Sequence, residues 1–229
     1  MSQTKNNPNG RRRFLTGVGL AATTATLASA GNRANAAESG TFRPARHAED
    51  AWLDANDAIH RVFLDTSAAS GGITALNYAS NILIGHAEGY GGEESDYAIV
   101  VCFRHGSTPL GYNDAMWSRY GVNFSQIMGL TDPQTNEPFR VNPLNMQRSD
   151  MANRGNTIES MIARGVSYAI CRRATRSFSA RLARATGGDV DDIFTELMAN
   201  NVPSSRFVPA GVVAATRSQE YGYSLLFSA

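Results

Sequence analysis

Two short stretches of the chain are almost continuously apolar, Tyr97–Phe103 (YAIVVCF) and Val166–Cys171 (VSYAIC). Runs of this length without polar alternation predict strands buried on both faces of a parallel sheet. Three weaker β-rich runs accompany them: Ile59–Asp65, the very short Phe207–Val208 and Tyr223–Phe227. Between the strands the period changes to helical. Ile73, Leu76, Ala79, Ile82 and Leu83 share one face over Ile73–His86. Further helices are predicted over Asn113–Tyr120 with Asn113 or Asp114 as cap, Thr157–Arg164, Ala174–Thr186, Val190–Asn200 and Val212–Tyr221, with a short one within Ala48–Ala58. Thr157 should cap its helix, but residue 160 is Ser rather than Glu or Gln, so no capping box is expected. Gly106–Tyr112 is a Gly/Pro loop. Residues 130–156 hold three Pro and five Asn with little periodicity, which predicts an insertion or lid. Strands alternating with helices define an α/β domain on a mostly parallel sheet.

The first forty residues have a different pattern. Arg11-Arg12-Arg13 leads into a weakly apolar run, Phe14–Ala30, with four Thr, two Gly and a Ser among its 17 residues. That run is shorter and more polar than the roughly 20 apolar residues of a spanning helix. A basic start, a short apolar stretch and small residues before a cleavage point describe a secretory signal. The Arg11-Arg12 pair, one spacer and Phe14-Leu15 resemble the twin-arginine (Tat) export signal, with Gly10 in place of the usual Ser or Thr. Ala28-Ser29-Ala30 and Ala34-Asn35-Ala36 both fit a cleavage site, and the second is preferred. The expected organisation is a signal peptide over 1–36, a lead-in over 37–58 and an α/β domain over 59–229. The expected location is the periplasm, with no membrane anchor.

Charge acquires meaning only after that division. The whole chain carries 21 basic and 20 acidic residues, a net +1, which does not suit a nucleic-acid binder. Residues 1–36 contain Lys5 and four arginines but no acid. Without them, sixteen arginines face twenty carboxylates, the net charge is −4, and no lysine remains. Schiff-base chemistry, a Walker-type phosphate loop and a Ser–Lys dyad are then excluded. Two cysteines are too few for a disulfide scaffold or a four-thiolate zinc site.

In an open α/β sheet, ligands bind outside the carboxyl ends of the strands. The first strand ends at Asp65, with Ser70-Gly71-Gly72 at the next helix start, whose amides suit an anion. The second ends in Arg104-His105, the third in Cys171-Arg172-Arg173 with Arg176 beyond, and the fourth in Pro209-Ala210-Gly211. Cys171 stands where a strand passes into a helix N-terminus, a position that favours the thiolate and hence a sulfur nucleophile or persulfide carrier. The alternative is a small buried apolar side chain, the usual state of a free Cys. Cys102, mid-strand, is read as core. A Cys102–Cys171 disulfide requires neighbouring strands and Cα atoms within about 7 Å. His105 occupies a loop position suited to a general base, with Arg172 assisting Cys171. Asp65, Ser70, Gly71, Arg104, Arg176 and Gly211 complete the candidate ligand-binding set. His47, His86 and His105 have no partner at metal-ligand spacing, and His60 is read as a core or edge histidine of the first strand. No Gly-x-Ser-x-Gly elbow occurs, and Gly89–Gly92 comes after a helix rather than a strand. No cofactor and no metal are assigned.

The order of these segments resembles the DsrE/DsrF-like proteins. Arg164-Gly165-Val166 through Ala169-Ile170-Cys171 is similar to that family's G-V-x-x-x-x-C segment. Val208-Pro209-Ala210-Gly211-Val212, Gln219 and Gly222-Tyr223 resemble its closing strand–helix–strand, and His60-Arg61-Val62-Phe63 with Leu76-Asn77-Tyr78 and Asn81 its opening. The resemblance implies a three-layer α/β/α sandwich on a five-stranded, mostly parallel sheet, assembled into homo-oligomers. It also implies, for sulfur-relay members, a persulfide on the cysteine matching Cys171. The partners expected on this reading are a small sulfur-containing or other small-molecule ligand, further copies of the chain and the Tat export machinery. The competing expectation is a non-catalytic ligand-binding or oligomeric accessory protein, with residues 130–156 as lid or interface.

Overall fold

Parallel pairing joins all five strands of the computed structural model, which describes residues 43–54 and 57–229. The expected signal peptide and its cleavage sites lie outside those residues, as do residues 37–42 and 55–56 of the lead-in. The strands are β1 (His60–Thr66), β2 (Tyr97–Phe103), β3 (Val166–Cys171), β4 (Ser205–Val208) and β5 (Ser224–Ser228). Their order across the sheet is β4-β3-β2-β1-β5, with every pair parallel. The helices are α1 (Ala69–Tyr90), α2 (Asp114–Met128), α3 (Ile158–Ile162), α4 (Arg172–Thr186), α5 (Val190–Ala199) and α6 (Gly211–Glu220). Among the described residues no helix is long and apolar enough to cross a membrane.

Strand alternation divides the interior into two layers. Leu64, Ile99, Val101, Phe103, Tyr168 and Ile170 face the larger core, which α1, α2, α4 and α5 close with Leu76, Trp117, Phe124, Phe178, Leu182 and Leu197. Phe63, Val100, Cys102, Ala169 and Val208 face the other way, against Ala214 and Ala215 of α6 and Leu53 of a 3-10 turn at Ala48–Leu53. The result is an α/β/α sandwich. Its topology explains the lone position of α6. β4 and β5 are opposite edges of the sheet, so the helix that joins them must cross the entire face.

Several sequence expectations need adjustment. Gly106–Tyr112 is not a plain loop: Gly106–Gly111 belongs to a 3-10 helix, His105–Gly111, and Tyr112 follows it as the C-cap. The 48–58 helix shrinks to the Ala48–Leu53 turn. α1 runs four residues past His86, and α2 continues eight past Tyr120 to a left-handed stop at Gly129. Asn113 is the α2 cap, accepting from the Met116 N–H. A capping box does form at Thr157: Ser160 N–H donates to Thr157 Oγ1 (3.1 Å) and Thr157 N–H donates to Ser160 Oγ (2.8 Å), so serine serves in the role usually given to Glu.

Residues 130–156 are irregular, as expected, yet they form part of the core. Phe139, Leu144 and Met151 are buried in the larger layer. The Phe139 carbonyl lies against Gly121 so closely that a Cβ there would stand 2.1 Å from its oxygen. Arg148 ties the segment together by ion pairs to Asp132 and Asp150, which hold both carboxyls below their ordinary range. The hydrogen bonds of Asn142 run to the 3-10 helix and α2, at Leu110, Tyr112 and Asp114. The segment is thus a strap packed against the 3-10 helix and the start of α2.

Candidate functional site

The connections leaving β3 and β4 diverge. β3 passes into α4 on the larger core's face, and β4 passes into α6 on the opposite face. Adjacent strands whose connections part in this way open a crevice at their carboxyl ends, the usual ligand position in an open α/β sheet. Cys171 occupies that point, side by side with Val208 of β4.

Cys171 is both the last residue of β3 and the N-cap of α4, and its Sγ accepts the Ala174 N–H at 3.4 Å. A sulfur in this place takes one of the amide hydrogens that a helix start leaves without partners. The backbone beneath it is fixed from the core. Thr175 Oγ1 donates to the Cys171 carbonyl (3.0 Å), and the buried Tyr112 hydroxyl donates to Thr175 Oγ1 (2.9 Å). Burial also lifts the Tyr112 phenol well above its usual range, so it remains a neutral donor. The Cys171 residue is buried, with 7% of its surface exposed.

Asp65 and Arg104 form the second part of the site. Nε and Nη2 of Arg104 donate to the two carboxylate oxygens of Asp65, at 2.7 and 2.8 Å. This fork-on-carboxylate geometry is the strongest common form of ion pair, and it raises the Arg104 guanidinium further above its ordinary value. Two neighbours confine the arginine. The Phe227 ring lies 5.8 Å from its Cζ, and Gly211 approaches so near that an added Cβ would meet Arg104 Cβ at 2.5 Å. Gly211 therefore serves close passage of α6 under the arginine. Beside this pair, Thr66 Oγ1 donates to the Cys102 carbonyl (2.8 Å) and Ser107 Oγ to the Thr66 carbonyl (3.1 Å), locking the ends of β1 and β2 together.

Of the nine residues expected from the sequence, Asp65, Arg104, Cys171 and Gly211 come together on the α6 side of the strand ends. The other five are placed differently. His105 is exposed and holds a left-handed backbone (φ 52°) at the start of the 3-10 helix. Arg172 is exposed, with its guanidinium 5.9 Å from the Phe194 ring. Arg176 pairs with Asp191 at the surface and lies 5.2 Å from the Phe194 ring, on the α4–α5 face. Ser70 is exposed. Gly71 is buried because the end of β5 presses on it: a Cβ would stand 2.3 Å from the Ser228 oxygen, and Ser228 Oγ donates to the Gly71 carbonyl (3.0 Å). Its lack of a side chain is explained by that packing.

Cys102 is fully buried on the same face as Cys171, and burial pushes its thiol well up, with the Asp65 charge adding to the effect. Its register partner is Ala169, two residues short of Cys171. Both cysteines are free, so the disulfide considered from the sequence does not form. Sequence reasoning did not find Thr175, Tyr112 or Phe227. Thr175 had one usable signal, its place four residues after Cys171, where a hydroxyl can reach back to a helix-start carbonyl.

No family model matches the chain, and no curated protein matches it. Among solved structures, the chain is similar to a protein of unknown function, MTH1491 from Methanobacterium thermoautotrophicum, at 14% identity and a TM-score of 0.37, over 73% of this chain and 98% of that one.

Proposed function

We propose that this is an exported DsrE/DsrF-like protein that handles sulfur through Cys171, carrying it as a persulfide in the periplasm. The observation that supports this reading is the Sγ of Cys171 on the first amides of α4, at the crevice where the paths of β3 and β4 part. In the loading step the Cys171 thiolate attacks the outer sulfur of a small persulfide donor, RS–SH. A new S–S bond forms at Cys171, the donor's S–S bond breaks, and RS⁻ leaves with the electron pair. Sulfur moves as a neutral atom between thiol carriers, so no external oxidant is required. The α4 N-terminus stabilises the anionic persulfide, and Arg104 lends positive charge to the crevice while Asp65 holds it in place.

Incubating the reduced protein with a small-molecule persulfide donor should add one sulfur, about 32 Da, to its intact mass. Cys171→Ser should abolish the gain, whereas Cys102→Ala should retain it because Cys102 is sealed in the sheet. No mass gain, or a gain that survives Cys171→Ser, overturns the reading.

A second reading, the oligomeric accessory protein, is favoured by a different surface. β5 is an edge strand whose Leu225, Leu226 and Phe227 are all more than 40% exposed, and Val212 and Val213 at the start of α6 are exposed too. Edge strands are normally short or charged, as β4 is with four residues and Arg206. On this reading β5 pairs with β5 of a second copy about a two-fold axis. Light scattering should then give a multiple of the chain mass, and Leu226→Lys should reduce it to the monomer. A wild-type monomer discards this reading and leaves the Cys171 assignment standing.

A further inference from the structure

We propose that His60 and His86 form a separate site, at the opposite end of the sheet from Cys171, that binds one borderline divalent transition ion of the zinc or copper(II) class. His60 opens β1 and His86 lies in the last turns of α1, 26 positions further along the chain. The fold brings their ring centres to 5.2 Å. Two imidazoles sharing a tetrahedral ion at metal–nitrogen distances of about 2.0–2.1 Å have ring centres about 5 Å apart. Both side chains are reachable from solvent, and among the described residues no protein group hydrogen-bonds to any of their four ring nitrogens.

Tyr97 holds the two rings in this relation. It is the register partner of His60 across β1 and β2, stacks on the His60 ring at 4.9 Å and 20°, and meets the His86 ring edge-on at 4.5 Å. Its own hydroxyl is buried without a hydrogen-bond partner, an uncommon state for a phenol in a closed layer. Tyr90 covers the far side of His86 at 4.9 Å. The local field suits a cation: Asp96 precedes Tyr97 and its charge is felt at the phenol, while neighbouring Arg61 is paired to Asp54. Among the described residues no cluster of three or more His, Cys, Asp or Glu is gathered here or elsewhere. The site is therefore an open one, with imidazoles supplying two positions and water or a bound ligand the rest. Imidazole nitrogen ranks copper(II) above zinc.

The test uses tag-free full-length protein titrated with zinc by calorimetry and with copper(II) by electron paramagnetic resonance. One ion per chain is expected, with hyperfine structure from two nitrogens. His60→Ala and His86→Ala should each weaken binding by more than tenfold, while His47→Ala, His105→Ala and Cys171→Ser leave it unchanged. His60 is exposed, so its variant keeps the test valid if His86→Ala disturbs packing. Failure to saturate at one ion, or binding indifferent to both histidines, overturns the proposal and has no bearing on Cys171.

Discussion

Asn142→Ala should destabilise the domain by about 4 kcal/mol, although it removes only a small polar side chain from a segment without regular structure. Asn142 is fully buried. Its Nδ2 donates to the carbonyls of Leu110 and Tyr112, both at 2.8 Å, and its Oδ1 accepts the Leu144 N–H at 2.9 Å. Alanine leaves two carbonyls and an N–H without partners where water does not reach. Each orphaned buried group costs roughly 1–3 kcal/mol, against a total stability of about 5–15 kcal/mol for a domain. Urea unfolding should show the loss as a lowered midpoint, and amide exchange should rise first in the His105–Gly111 turn that Asn142 supports. Asn142→Asp keeps the size but sets a carboxylate oxygen against two carbonyls, so it should be at least as damaging. A tolerated Asp would show that volume, not hydrogen bonding, is the role of this residue.

The same residue marks where sequence legibility ends. β2 and β3 are visible to the residue because burial on both faces demands unbroken apolar runs. The second half of α2 is obscured by Gly121, which suggests a break. In fact Trp117, Tyr120, Gly121 and Phe124 form one buried helical stripe, and the glycine is needed because the Phe139 backbone rests on it. The reason lies outside the helix, so no local pattern contains it. The strap behaves likewise: Phe139, Asn142, Leu144 and Met151 are buried at spacings set by neighbouring elements rather than by a period of their own. Function divides along the same line. The residues at and just beyond the strand ends include Asp65, Arg104, Cys171 and Gly211, and parallel strands must bring them to one edge. Strand order alone leaves open which of those side chains meet. The Arg104 fork on Asp65 depends on strand register and on α6 passing beneath, and the His60–His86 pair depends on α1 returning over β1.

That fork carries the last of the large effects. Asp65→Ala should cost about 3 kcal/mol, because it leaves a guanidinium only 21% exposed with no countercharge, confined by Phe227 and Gly211. Breaking a buried pair from one side costs roughly 3–5 kcal/mol, and the partial exposure of Arg104 places this case at the lower end. Arg104→Ala should cost at least as much as Asp65→Ala, since it leaves an unpaired carboxylate only 8% exposed where the guanidinium is 21% exposed. The double variant should then be more stable than the sum of the single losses predicts, by about 2 kcal/mol, in a double-mutant cycle read by urea unfolding. Zero coupling would mean that the two side chains do not meet in solution. On the proposed sulfur-handling reading, the pair also bears on chemistry at the crevice. Freed from Asp65, Arg104 no longer has a fixed position, so the Asp65→Ala protein should load sulfur on Cys171 more slowly even at temperatures where it remains folded. Asp65→Asn, which keeps one acceptor for the guanidinium, should restore part of both the stability and the rate. Recovery of stability without recovery of rate would assign the carboxylate's charge, rather than its hold on Arg104, to the sulfur chemistry.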